Sequence, residues 1–120
     1  MADRLLFISW GQTVRGAEER ALEVFNDALG ILGRMQNDGR IDKFDAVLLR
    51  PNGEIDGYIE VHGTAEQLAA VRDDEEFLRN TVEAGLCVDR IRHIDGYANE
   101  GVAQMMAMFQ EAVAKVPQRA

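Results

Sequence analysis

The sequence predicts one α+β domain built on a four-stranded antiparallel sheet, and three observations carry that prediction. Apolar patterns follow the order strand, helix, strand, strand, helix, strand, helix. A strong turn signal, Arg50-Pro51-Asn52-Gly53, joins the second and third strands into a hairpin. The 120 residues contain no linker or low-complexity run, so 1–120 reads as a single domain.

The first strand is the apolar run Leu5 to Trp10, ending at Gly11. A long helix is expected from Ala17 to Asn37. Its apolar residues Leu22, Phe25, Leu29 and Leu32 recur at helical spacing, and Val24, Ile31 and Met35 widen the stripe. Glu18 and Glu19 suit the positive end of the helix, and Asn37-Asp38-Gly39 stops it. Phe44 to Leu49 forms the second strand. The third runs from about Ile55 to His62, with Ile59 and Val61 on one face and Tyr58, Glu60 and His62 on the other.

Thr64 and Gln67 match a capping box, which opens a helix carrying Leu68 and Val71. Asp73-Asp74 breaks that helix and caps a second piece holding Phe77, Leu78 and Val82, which Gly85 is expected to end. Val88 to Ile94 is the expected fourth strand, followed by a turn at Asp95-Gly96. A last helix, about Glu100 to Val116, shows Val102, Met105, Met106, Phe109 and Val113 on one face. Pro117 closes it.

Composition narrows the function. With 13 basic and 21 acidic residues the formal net charge is −8, and such a surface repels phosphate backbones, which argues against nucleic acid. No run approaches the roughly 20 apolar residues that span a bilayer, so a membrane role is not expected. One cysteine, Cys87, allows no intrachain disulfide and fits a reducing, cytoplasmic setting.

A β-α-β-β-α-β order with a central hairpin is the split βαβ arrangement, the ferredoxin-like fold. Right-handed crossovers give the strand order 4-1-3-2, with the helices on one face of the sheet. Strands one and two are apolar on both sides. One layer of helices covers only one side, so a second protomer is expected to cover the other.

From Leu5 to about Val113 the chain resembles the dimeric α/β-barrel superfamily. That group includes antibiotic-biosynthesis-type monooxygenases and muconolactone-isomerase-like, EthD-like and YciI-like proteins. The resemblance lies in the element order, the helix start Gly16-Ala17-Glu18 with Phe25 further in, the break Asp73-Asp74-Glu75-Glu76-Phe77, and the extra C-terminal helix. It implies a homodimer whose open sheet faces meet and enclose a pocket. Members include cofactor-free oxygenases, isomerases and haem-degrading enzymes.

The candidate chemistry follows from that open face. Glu60 and His62 lie two apart on one strand and project together, so His62 could abstract a proton while Glu60 orients its ring. Trp10 and Tyr58 are the aromatic candidates for a pocket wall, and Arg92 could pair with a substrate carboxylate or with Glu60. The sequence leaves the inward face of the fourth strand open: either Arg90 and Arg92, or His93. A triad of His62, His93 and Glu60 requires His93 inward, and no H-x-x-H, H-E-x-x-H or Cys/His cluster accompanies it, so neither metal nor cofactor is expected. Two functions remain. One is a small-molecule-binding barrel acting as a cofactor-independent oxygenase or isomerase. The other is a non-catalytic dimeric binding or assembly module in which the same polar residues form interface pairs.

Overall fold

The computed structural model describes residues 2–117. Four strands, β1 (Arg4–Trp10), β2 (Lys43–Leu48), β3 (Gly57–Gly63) and β4 (Arg92–Tyr97), form one antiparallel sheet in the order β2-β3-β1-β4. Read from the other edge this is the expected 4-1-3-2. Helices α1 (Glu18–Asn37), α2 (Ala65–Asp73) and α3 (Glu75–Cys87) accompany the sheet, and α4 (Glu100–Ala114) follows β4.

The register fixes what each face carries, because directly opposed residues point the same way. Leu6 opposes Val61 and Ile8 opposes Ile59. These four are buried, with Ile31, Leu32 and Met35 of α1, Leu68 and Val71 of α2, and Phe77 of α3. They make the core between sheet and helices. The other face carries Leu5, Phe7 and Ser9 of β1, Tyr58, Glu60 and His62 of β3, and Asp45 and Val47 of β2. Arg92 and Ile94 of β4 oppose Ser9 and Phe7, so they join this open face. His93 opposes Ile8 and turns to the helices. The ambiguity of the fourth strand is thereby resolved.

Local chemistry sets the helix ends. Gly39, at φ 77°, closes α1 in a Schellman motif, in which Arg40 N–H donates to Met35 O at 2.8 Å and Gly39 N–H to Gln36 O at 3.1 Å. At α2, Thr64 Oγ1 accepts from Gln67 N–H while Thr64 N–H donates to Gln67 Oε1, so the capping box is complete. Asp74 caps α3 by accepting from Phe77 N–H at 2.9 Å. In the hairpin loop, Asn52 Oδ1 accepts from Glu54 N–H and Ile55 N–H, which ties the turn.

Two expected boundaries move. α3 passes through Gly85 and ends at Cys87, since packing on α1 outweighs the weak helix propensity of one glycine. β4 starts at Arg92 rather than Val88 and runs through Asp95-Gly96, the pair expected to form a turn. Residues 87–89 pair instead with the segment after β1. Val14 N–H donates to Cys87 O, Asp89 N–H to Gln12 O, and Gly11 N–H to Asp89 O. Arg90 then takes a left-handed turn at φ 49° before the chain can join the sheet.

α4 is held at its base. Ala98 N–H donates to Asp3 O, Asn99 Nδ2 donates to Ala2 O at 2.8 Å, and Gly101 is buried beneath that backbone. Beyond the base its apolar side chains stand in solvent, with Phe109 at 70% exposure.

Two stability changes follow from these features. Leu6→Ala removes a fully buried side chain from the sheet centre and should cost about 3–4 kcal/mol in urea denaturation. Thr64→Ala should cost about 1 kcal/mol, and Thr64→Ser should recover most of it.

Candidate functional site

The core does not fill the space between sheet and helices. A cavity of about 760 Å³, partly open to solvent, lies against the helix-facing side of the sheet. Ile8 and Trp10 of β1 and Ile59 of β3 form its floor. Val24, Phe25 and Leu32 of α1 and Phe77 and Ala84 of α3 form its walls. The Trp10 and Phe25 rings meet at 5.6 Å with a 58° tilt. The indole fits because Gly57 stands opposite: a β-carbon at position 57 would come within 2.7 Å of the Trp10 ring.

Few polar groups enter this apolar space. His93 reaches it from β4, edge-on to Phe77 at 6.0 Å. Asn80 lies on the wall and donates from Nδ2 to Val24 O at 3.0 Å, fixing α3 to α1. Thr81 donates to Phe77 O within its own helix. Gln12 and Asp56 lie at the β1 and hairpin end. Burial lowers the His93 pKa from its ordinary 6.5. The Arg72 guanidinium adds to the lowering, and Asp95, in ionic contact with Arg72 at 3.4 Å, works against it. The imidazole in the cavity is therefore neutral at physiological pH and can accept a proton.

The residues singled out from the sequence divide between the two faces. Trp10 lines the cavity. Tyr58, Glu60, His62 and Arg92 stand on the open face. There Tyr58 packs on Phe7 with ring centroids 5.2 Å apart. His62 Nε2 lies 3.4 Å from Glu60 Oε2 and 3.9 Å from Asp45 Oδ2. Arg92 belongs to the row Arg92–Ser9–Tyr58, and Glu60 to the neighbouring row with Phe7 and Ile94, so Arg92 is not Glu60's lateral neighbour. A triad of His62, His93 and Glu60 does not form, because the two histidines project from opposite faces of the sheet. Sequence reasoning missed Asp45, which opposes Glu60, and the polar wall residue Asn80. The parity of β2 held the signal for Asp45: with Phe44 turned to the core, its neighbour must face the other way.

No family model and no curated protein matches the chain. Solved structures do. A mutant form of SnoaB, a cofactor-independent oxygenase from Streptomyces nogalater, superposes with a TM-score of 0.62 at 17% identity, over 82% of this chain and 95% of that one. A dimeric ferredoxin-like protein of unknown function from Jannaschia sp. CCS1 gives 0.63 at 13% identity, over 79% and 99%. A dimeric protein of unknown function and ferredoxin-like fold from Bacteroides fragilis gives 0.60 at 11% identity, over 79% and 96%. At these identities the likeness establishes the ferredoxin-like fold.

The burial of His93 has a measurable sign. In an NMR titration its imidazole should protonate below pH 6.5. Since its folded pKa lies under its unfolded one, the unfolded chain takes up the proton first. Stability contributed by the neutral ring is present above about pH 6.5 and lost as pH falls through the folded pKa. His93→Gln should flatten this part of the stability profile, as followed by urea denaturation between about pH 8 and 5.

Proposed function

We propose that this chain binds a small, flat, largely apolar organic molecule in the cavity between the sheet and helices α1 and α3, and oxidises it without a cofactor. The cavity carries the reading. Its volume falls in the range of small-molecule sites, and apolar walls with a few convergent polar groups are what such sites present. Trp10 and Phe25 offer aromatic faces on which a planar ligand stacks.

His93 is the proposed base. Its neutral imidazole, set among apolar side chains, takes a proton from an acidified carbon of the substrate. The electron pair left on that carbon is shared with dioxygen, a C–O bond forms, and O₂ is reduced to the peroxide level. The imidazolium then returns its proton to the terminal oxygen. The SnoaB likeness supports an oxygenase over an isomerase, at the level of fold. Sequence reasoning assigned the base role to His62 with Glu60. His93 is the better-placed base because it enters the cavity, while those two lie across the sheet.

The same reading includes a homodimer joined through the open sheet face. Half-buried Leu5, Phe7, Val47 and Tyr58 on that face, and the bare apolar side chains of α4, support a second copy as their cover. If the cavity binds ligand without turnover, the chain is a dimeric binding module.

Trp10 is the chain's one tryptophan, so its fluorescence reports on the cavity directly. Titration with hydroxylated polycyclic aromatics should quench it and raise Tm. His93→Ala should then lower oxygen consumption about 10²–10⁴-fold while quenching persists. Unchanged fluorescence and Tm across the panel would reject the cavity as a binding site.

A further inference from the structure

We infer that the open sheet face carries a site for one divalent transition-metal ion, held by Asp45, Glu60 and His62. The inference is independent of the cavity and uses none of its residues. Asp45 and Glu60 are directly opposed across β2 and β3, and His62 stands two residues along from Glu60 on the same face. The three ligand atoms lie within 4.8 Å of one another, two of the separations being 3.4 and 3.9 Å. A tetrahedral ion with bonds of about 2.0–2.2 Å places its ligand atoms about 3.3–3.6 Å apart. Binding would draw the carboxylates of Asp45 and Glu60 in toward that spacing by side-chain rotation.

Two further observations point to a cation. Both ring nitrogens of His62 are buried and neither makes a hydrogen bond among the described residues, and the side chain as a whole is 13% exposed. A buried imidazole that makes no hydrogen bond is costly, and a metal bond at Nε2 satisfies the nitrogen that faces the carboxylates. Asp45 and Glu60, in turn, are like charges set directly opposite on a sheet, which is destabilising unless something positive lies between them. Lys43 offers only partial relief: its ammonium stands 3.8 Å from Asp45, exposed at the rim.

The donor set selects the ion. One imidazole and two carboxylates suit Zn²⁺, Co²⁺, Mn²⁺ or Fe²⁺ better than Mg²⁺ or Ca²⁺, which prefer all-oxygen shells. Three protein ligands leave a position for water or an added ligand. His93 takes no part, since it lies on the helix side, and Cys87 is buried on that side as well.

Chelator-treated full-length protein titrated with Co²⁺, then Zn²⁺, tests the site. Calorimetry should find one ion per chain, with Zn²⁺ displacing Co²⁺. The chain has two histidines, so NMR separates the sites: Co²⁺ should broaden the His62 ring signals and leave those of His93 sharp. Asp45→Asn and Glu60→Gln keep side-chain shape, and with His62→Gln each should weaken binding at least about tenfold while circular dichroism stays unchanged. No uptake at millimolar Co²⁺, broadening at His93 instead, or equal affinity in the three folded variants would overturn the inference.

Discussion

The pairing of Leu6 with Val61 and of Ile8 with Ile59 is the constraint on which the rest of the molecule depends. It puts four aliphatic side chains in one layer beneath the helices. Because side chains alternate along a strand, it also decides by parity where every other residue of the sheet goes. Trp10 falls on the helix side with Ile8. Glu60 and His62 fall on the far side with Phe7. A slip of one residue would bring the charged residues under α1 and turn the core outward, at a cost no capping or turn interaction could offset. Both candidate sites are therefore fixed by the same hydrophobic choice.

That dependence explains what could be read in advance. The alternation of Ile59 and Val61 with Tyr58, Glu60 and His62 is clean, so the open-face set was legible from β3 alone. Thr64 with Gln67, and Asp74 ahead of Phe77, announced their helix starts because caps are local. The fourth strand was not legible, for a physical reason. Val88 and Ile91 look like strand residues, but 87–89 pair with residues 11–14, a contact with no local signature. The left-handed Arg90 then resets the phase. His93 consequently enters a cavity that residue types alone did not reveal, since Phe25, Asn80 and His93 come from three separate elements. Asp45 was hidden differently: its significance lies in a cross-strand partner, Glu60, on a different strand of the hairpin.

The two faces also differ in kind. On the helix side, burial and a neighbouring guanidinium favour the uncharged form of one imidazole, which lies beside the Phe77 ring in a largely apolar cavity. On the open side, another imidazole sits with two carboxylates, suited to holding positive charge. The sheet lies between them, and its backbone hydrogen bonds are already committed to the ladder. Changes on one face should therefore reach the other through strand position rather than through direct contact.

The strand order has a consequence for how the protein is made. Of the four strands β1 leaves the ribosome first, yet one of its edges is filled by β3 and the other by β4, the last strand of the sheet to be synthesised. Until Arg92–Tyr97 emerges, the nascent chain presents a hydrophobic central strand with an unpaired row of amides. A stall or truncation before that point would leave a sticky fragment rather than a partial domain. The locally capped α2 and α3 between the hairpin and β4 form far faster than the chain is synthesised, so the wait is set by the number of residues between β3 and β4.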